Sequence, residues 1–209
     1  GMERVRLYDE KGNRGRKEGV GLFTGALMAR YPWLPVEEDG RLHDPLLREN
    51  FVERVFALHE LNALRARGLT RHGLLAFHSR YKLQLLAHHQ AGYREIGPFV
   101  ASLHEWEDLE AFFEVYREKL MAILKQPASR KNHTNVLMHI QGYFRDQLNS
   151  RQRGELREVI LNYRAGLLPI LAPLTLLKHY LAEYPDRYLQ AQNYFDPYPQ
   201  DLALRLTVN

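Results

Sequence analysis

His133-Thr134-Asn135-Val136-Leu137-Met138-His139-Ile140-Gln141-Gly142-Tyr143-Phe144 carries two stripes with one period. Val136, Ile140 and Phe144 recur every fourth residue, as the buried face of a helix does. Asn135, His139 and Tyr143 recur at the same interval one position behind, which on a helix places them about 100° round from the apolar line. The segment therefore reads as a helix with a polar edge beside its core face, where a cleft can open.

Working outward, the same periodicity fills the chain. Asp44-Pro45 opens a long helix that ends by Gly68: Asp accepts the free amide hydrogens of the first turn, and proline is tolerated at the first helical position. Its expected apolar face is Phe51, Val52, Val55, Phe56, Leu58 and Leu61. Thr70 caps a helix over 71–90, and further helices are expected near 93–103 and 107–125. Ser129 caps one over 131–148, Ser150 one over 151–165, and another runs from Ala172 to Tyr184, because Pro173 is tolerated only in a first turn. Upstream, Val5, Leu7 and Tyr8 suggest a short strand, 11–19 a polar loop, and 21–30 a short helix with Phe23, Ala26 and Leu27 inward. The aromatic, proline-rich stretch 188–199 reads as a clasp over the helices. The expected fold is all-α, an antiparallel multi-helix domain behind a short irregular or partly α/β extension.

Composition narrows the chemistry. The 209 residues contain no cysteine, which excludes disulfides, thiol catalysis and a cysteine-ligated iron–sulfur cluster, and fits a cytoplasmic protein. Net charge is +4, from 29 basic and 25 acidic residues without a basic tail or stripe, so RNA is permitted as a partner but not demanded. The most apolar stretch, 165–177, is broken by prolines and falls short of a membrane span. Gly1 before Met2 looks like the scar of a removed tag.

Two polar groups stand out as candidate sites. His78, Lys82 and His89 share one helical face; a lysine there can hold an anion and keep a neighbouring histidine neutral, fit to act as a base. Alternatively the face is solvated and the histidines incidental. Asn135, His139 and Tyr143 can orient a polar ring, or satisfy one another as a seam beside the core. His133 lies about 120° from His139 and is the weaker member. Lys178 and His179 fall near a helix C-terminus, where they would also complement its carbonyls. Tyr188, Tyr194 and Tyr198 either form a stacking surface or pin the tail. The histidine spacings match no zinc motif, and no metal or cofactor is expected. Neither a phosphate-binding loop nor a Gly-x-Ser-x-Gly elbow is present.

Phe77-His78-Ser79-Arg80-Tyr81-Lys82, the 133–144 helix, Tyr163-Arg164-Ala165-Gly166, the Pro173–Tyr180 segment and Tyr194-Phe195-Asp196-Pro197-Tyr198-Pro199 resemble, in order, the YbgA-like family of bacterial proteins, whose function is unassigned. The resemblance covers about residues 65–205. Its pattern falls on His78, Lys82, His88, Asn135, His139, Gly142, Tyr143, Lys178, His179, Gln192 and Tyr194. Gly19-Val20-Gly21-Leu22-Phe23, the Pro35–Leu42 turn and Asp44–Phe51 resemble instead the C-terminal end of a thiouracil desulfidase-type domain, an iron–sulfur enzyme often fused ahead of the YbgA-like one. The resemblance implies a division into 1–50, a remnant of that domain, and 51–209, the helical domain. Lacking cysteine, this chain cannot carry the cluster. The expected function is an accessory module that binds a modified nucleobase, nucleotide or RNA in sulfur-related metabolism. Lys82, Lys178 and nearby arginines would hold an anionic group, and Asn135, His139 and Tyr143 would orient a polar ring, with His88, His89, His179, Gln192 and Tyr194 as further ligand-binding candidates. The alternatives are an enzyme with His78 or His139 as catalytic base, and a structural or partner-binding domain.

Overall fold

The computed structural model describes the backbone of Val5–Tyr8 and Arg14–Gly19 and all of residues 21–205. Val5–Tyr8 (β1) and Arg14–Gly19 (β2) pair as an antiparallel hairpin. The first strand is as expected, whereas the second occupies part of the expected loop; residues 11–13 and the Gly1-Met2 start lie outside the described residues. Among the described residues nine α-helices follow: α1 Leu22–Arg30, α2 Pro45–Ala66, α3 Arg71–His88, α4 Gln90–Ala101, α5 Leu109–Leu124, α6 Arg130–Tyr143, α7 Ser150–Arg164, α8 Leu171–Glu183 and the single turn α9 Arg187–Gln190. The protein is all-α in its body. No helix among the described residues is long and apolar enough to cross a membrane.

Local chemistry explains the helix starts. Asp44 accepts from the amides of Leu46 and Leu47, Thr70 from Gly73, Asp108 from Glu110 and Ala111, and Ser129 from Asn132. Two starts differ from expectation. His89 caps α4 by accepting from Gly92, so that helix begins at Gln90. Asn149, not Ser150, caps α7, in a reciprocal box with Gln152. The α6 helix stops at Tyr143, because the amides of Phe144 and Arg145 turn back to the carbonyls of Gln141 and Gly142, three residues behind, in a tightened last turn. After α7, Gly166 takes the positive φ of 82° that lets Leu167 bond back to the Asn162 carbonyl.

Two faces differ in part from the periodicity, which is right for the buried Leu58 and Leu61. In α1, Phe23 is 71% exposed and Ala26 is exposed, while Thr24 is buried. In α2, Val55 is 41% exposed, and the inward line is Asn50, Glu53, Arg54, Ala57, Leu58 and Leu61. Polar members of that line find partners in the body: the Asn50 amide donates to the Leu124 carbonyl at 2.8 Å. The 50/51 division suggested by resemblance thus falls inside one continuous helix.

The helix α3 organises the interior. One side carries Leu74, Phe77, Tyr81 and Leu85 into a core shared with α2, α4 and α5. The other carries Leu83 and Ala87 into a second core with α6, α7, α8 and the tail residues Leu189, Tyr194 and Phe195. Gln192 staples that tail across α3, donating to the Ser79 carbonyl at 2.7 Å and accepting from the Leu83 amide at 3.2 Å.

Because one helix serves both cores, the two halves should unfold together. Leu83→Ala and Leu85→Ala, one on each side, are each expected to cost about 2–5 kcal/mol and to lower a single urea transition. Two separated transitions in either variant would contradict a shared core.

Candidate functional site

Glu49 and Glu53 stand one turn apart on α2 and point at the seam between the two cores. Burying two carboxylates requires counter-charge and hydrogen bonds. Arg205 supplies the first cation: Nε donates to Glu49 Oε1 at 2.8 Å, Nη2 to Glu53 Oε1 at 3.2 Å and Nη1 to the Tyr194 carbonyl at 2.8 Å. The Tyr198 hydroxyl also donates to Glu49 Oε1, at 2.8 Å.

His88, the last residue of α3, supplies the second. Its Nδ1 lies 2.7 Å from the Gln126 carbonyl, which can only accept, and its Nε2 lies 2.9 Å from Glu53 Oε2. Both nitrogens therefore donate and the ring is an imidazolium. Burial alone would lower the His88 pKa, but the Glu53 charge and hydrogen bond, the Gln126 carbonyl and the Glu49 charge together outweigh it and the net shift is upward. Conversely, burial would raise Glu53, but His88 and then Arg205 hold it below the usual carboxylate range. At Glu49 burial and the neighbouring Glu53 outweigh Arg205, and its pKa is raised. Two carboxylates, one imidazolium and one guanidinium make a cluster of zero net charge.

A fifth titratable group completes the wall. His133 Nδ1 lies 2.9 Å from the hydroxyl of Tyr194, which is fully buried and whose own pKa is pushed well up, so the phenol keeps its proton. Burial and then the Arg205 charge push His133 down to about 3, leaving the ring neutral. The buried phenol has no other described partner, and a hydroxyl hydrogen left unbonded there is costly. Tyr194 therefore donates to Nδ1, and the ring proton sits on Nε2.

Glu49, His133, Arg205, Arg130 and Tyr163, with apolar Leu46 and Ile170, enclose a cavity of about 100 Å³. The Arg130 guanidinium lies over the Tyr163 ring, 4.6 Å from its centroid, and bonds the Tyr163 carbonyl. Among the described residues, neither Glu49 Oε2 nor His133 Nε2 has a protein hydrogen-bond partner.

The residues singled out from sequence are scattered. His88 and Tyr194 belong to the cluster. His78 is buried against Tyr116, with Nδ1 3.1 Å from that hydroxyl, and burial and then Lys82 push it down to about 4. Lys82 is half-buried beside it, and His89 is a helix cap. Asn135 and His139 are exposed; His139 meets the Tyr143 ring edge-on at 5.6 Å, and Tyr143 stacks on Tyr188 at 5.7 Å. Lys178 is tied to Asp196 at 2.6 Å, the exposed His179 lies 3.8 Å from Glu183, and Gln192 is the staple described above. Of five cavities among the described residues, none is lined by His78, Lys82, Asn135 or His139. No group of three or more His, Asp or Glu side chains among the described residues is placed to hold a metal ion.

Sequence reading missed Glu49, Glu53, Arg130, Tyr163 and Arg205. One signal was present: Glu53 falls in register with Ala57 and Leu61, a charge within a core stripe. Arg205 has none, since its two carboxylate partners lie more than 150 residues away.

A family model described as "Protein of unknown function (DUF1722)" matches residues 82–199. That span holds His88, Arg130, His133, Tyr163, Tyr194 and Tyr198; Glu49, Glu53 and Arg205 lie outside it. Over 152 residues the chain is 51% identical to "Uncharacterized protein YbgA" of Escherichia coli (strain K12), which covers 73% of this chain and 90% of that protein. No solved structure matches.

The protonation states set the pH dependence of stability. His133 and His78 have pKa values of about 3 and about 4 when folded, against 6.5 when unfolded. Below pH 6.5 the unfolded chain binds protons that the folded one refuses, so stability falls with acid, by at most about 2.7 kcal/mol per pH unit for two protons. His88 shifts the opposite way: its contribution is complete below pH 6.5 and is lost as pH rises through its elevated folded value. Urea midpoints from pH 4 to 9 should therefore peak near pH 6.5. His133→Gln, which still accepts from Tyr194, should remove about half of the acid slope, and an unchanged slope would refute the neutral buried ring.

Proposed function

Since the chain belongs to the DUF1722 family of proteins of unknown function, we propose on its geometry that it is a binding module for a small planar ligand with an amide or imide edge, the class that includes nucleobases. The observation that carries this reading is that Glu49 and His133 wall the same cavity, while Glu49 Oε2 and His133 Nε2 have no hydrogen-bond partner among the described residues. Adjacent N–H and C=O groups of an amide edge present the complementary pair. The Tyr163 ring and the Leu46 and Ile170 side chains supply apolar walls for a flat body.

Size limits the occupant. A cavity of about 100 Å³ equals roughly three waters at ~30 Å³ each, enough for one small ring and too little for a nucleotide. In this reading a sugar, a phosphate or an RNA strand stays outside and only a base enters. A thiolated pyrimidine keeps the same edge, because sulfur in place of the carbonyl oxygen still accepts, weakly. This accords with a cytoplasmic role beside a desulfidase-type partner, and calls on no cofactor. Lys178, already paired with Asp196, is not needed to hold an anion.

The enzymatic alternative draws less support. A general base needs a lone pair facing its substrate. His133 presents Nε2–H instead, and neither His78 nor His139 is in the wall of any of the five cavities described above.

Calorimetry with uracil, 2-thiouracil and 1,3-dimethyluracil tests the proposal. The first two should bind, and the dimethyl compound, which lacks any N–H, should bind at least about tenfold more weakly. Glu49→Gln and His133→Ala should each weaken uracil about 10–150-fold, the loss expected for a hydrogen bond worth about 1.5–3 kcal/mol. Absence of binding by folded protein, or equal affinity for the dimethyl compound, would sink the reading.

A further inference from the structure

A second cavity, of about 270 Å³, lies where α6 and α8 end, and its wall includes Tyr143, Gln147, Glu183, Tyr184 and Asp186. Its electrostatics set it apart. Each of the other four cavities has at least one lysine or arginine in its wall: Lys178 and Arg205, Lys119, Arg130 and Arg205, and Arg54 and Lys125 respectively. This one has none, although the chain carries a net +4. Two helix C-termini converge on it, and neither α6 nor α8 has a basic residue in its last turn to offset the partial negative charge there; the Arg153 guanidinium reaches only the Arg145 carbonyl beyond α6, at 2.8 Å, and is not in the wall. Glu183 and Asp186 add two full charges. Arg145 and Arg187 follow closely in sequence but are not in the wall, and the nearest basic group to Glu183 is exposed His179, at 3.8 Å.

The remaining surface is aromatic. Tyr143 is 39% exposed and stacks on Tyr188 at 5.7 Å with 17° between the rings, while His139 abuts it edge-on. Burial and then Asp186 raise the Tyr143 phenol, and burial and then Tyr143 push Tyr188 up to about 12, so both rings stay neutral and offer unmodified π faces. Tyr184 brings a third ring to the wall.

We propose that this cavity binds a guanidinium-bearing ligand. Negative potential and π faces both attract organic cations. Between the two common kinds, guanidinium is planar and weakly hydrated, stacks on rings and meets a carboxylate with two parallel N–H groups, whereas ammonium is a compact, strongly hydrated point charge. Asp186 uses one oxygen, Oδ1, to cap Leu189 at 2.9 Å, and Glu183 makes only the long contact to His179 among described residues. Carboxylate capacity is thus open on both. The site is separate from the Glu49–His133 cavity and does not depend on what that cavity binds.

The test uses the full chain and two ligands of one shape, 1-butylguanidine and neutral butylurea, followed by amide chemical-shift titration. Butylguanidine should bind at least tenfold more tightly than butylurea, and the advantage should shrink as salt is raised from 20 to 300 mM. Asp186→Asn retains the helix cap; combined with Glu183→Gln it should abolish the advantage. Tyr143→Ala should weaken binding at least fivefold, and Tyr143→Phe should keep it. N-acetyl-arginine amide, compared in parallel, separates a protein side chain from a free small molecule as the source, according to which of the two guanidines binds better. Equal affinity for the urea, tighter binding of tetramethylammonium, or an unchanged affinity in the Glu183→Gln/Asp186→Asn variant would each overturn the assignment.

Discussion

Two carboxylates on one turn of α2, turned away from water, impose the constraint from which the site follows. Glu49 and Glu53 cannot be buried as neighbours unless positive charge and donors reach them from elsewhere. The fold brings those groups from three distant places: His88 from the end of α3, Tyr198 from the tail, and Arg205 from beyond it. None of these contacts is local, so the cluster forms only when α2, α3 and the tail are already placed. Replacing such a cluster with apolar side chains is often neutral or stabilising elsewhere, whereas removing one partner strands a charge. Its presence here is therefore better explained by what it offers to a cavity than by what it adds to stability.

The cluster also decides protonation at the cavity wall. With His88 and Arg205 balancing both carboxylates, burial and then the Arg205 charge disfavour an additional positive charge at His133, and that ring stays neutral. The Tyr194 hydroxyl then selects which nitrogen carries the proton. The His133 ring thus brings an N–H of fixed position to a cavity wall that also holds Glu49. The seam is also the natural place for such a wall. Each half-core closes around its own aliphatic residues on one side of α3, and the polar groups that fit neither half collect between them.

How much of this was legible in the sequence depended on distance along the chain. Caps join residues two or three apart, so Asp44, Thr70 and Ser129 announced their helices, and the apolar line Val136, Ile140, Phe144 is buried as its spacing required. The polar line beside it lies exposed at Asn135 and His139, so it flanks solvent instead of enclosing a cleft with Lys82. In α2 hydrophobicity misled: Val55 faces out and Glu53 faces in, because the long-range partners of Glu53 outweigh the transfer energy of one valine, about 1.5–3 kcal/mol. Arg205 could not be read at all, since nothing within a few residues of it indicates two glutamates on the far side of the molecule.

The position of Arg205 has a consequence for access. Leu204 and Arg205 wall both the 100 Å³ cavity and a larger one of about 330 Å³ that reaches Lys178, Phe195 and Tyr198. The same two residues thus lie between a smaller cavity and a larger, more apolar one. Moving this segment would break the Arg205 hydrogen bonds to Glu49, Glu53 and the Tyr194 carbonyl together, leaving His88 as the single cation bonded to two carboxylates. The charge balance of the cluster, beside the apolar packing of Leu204, therefore holds this segment against the body.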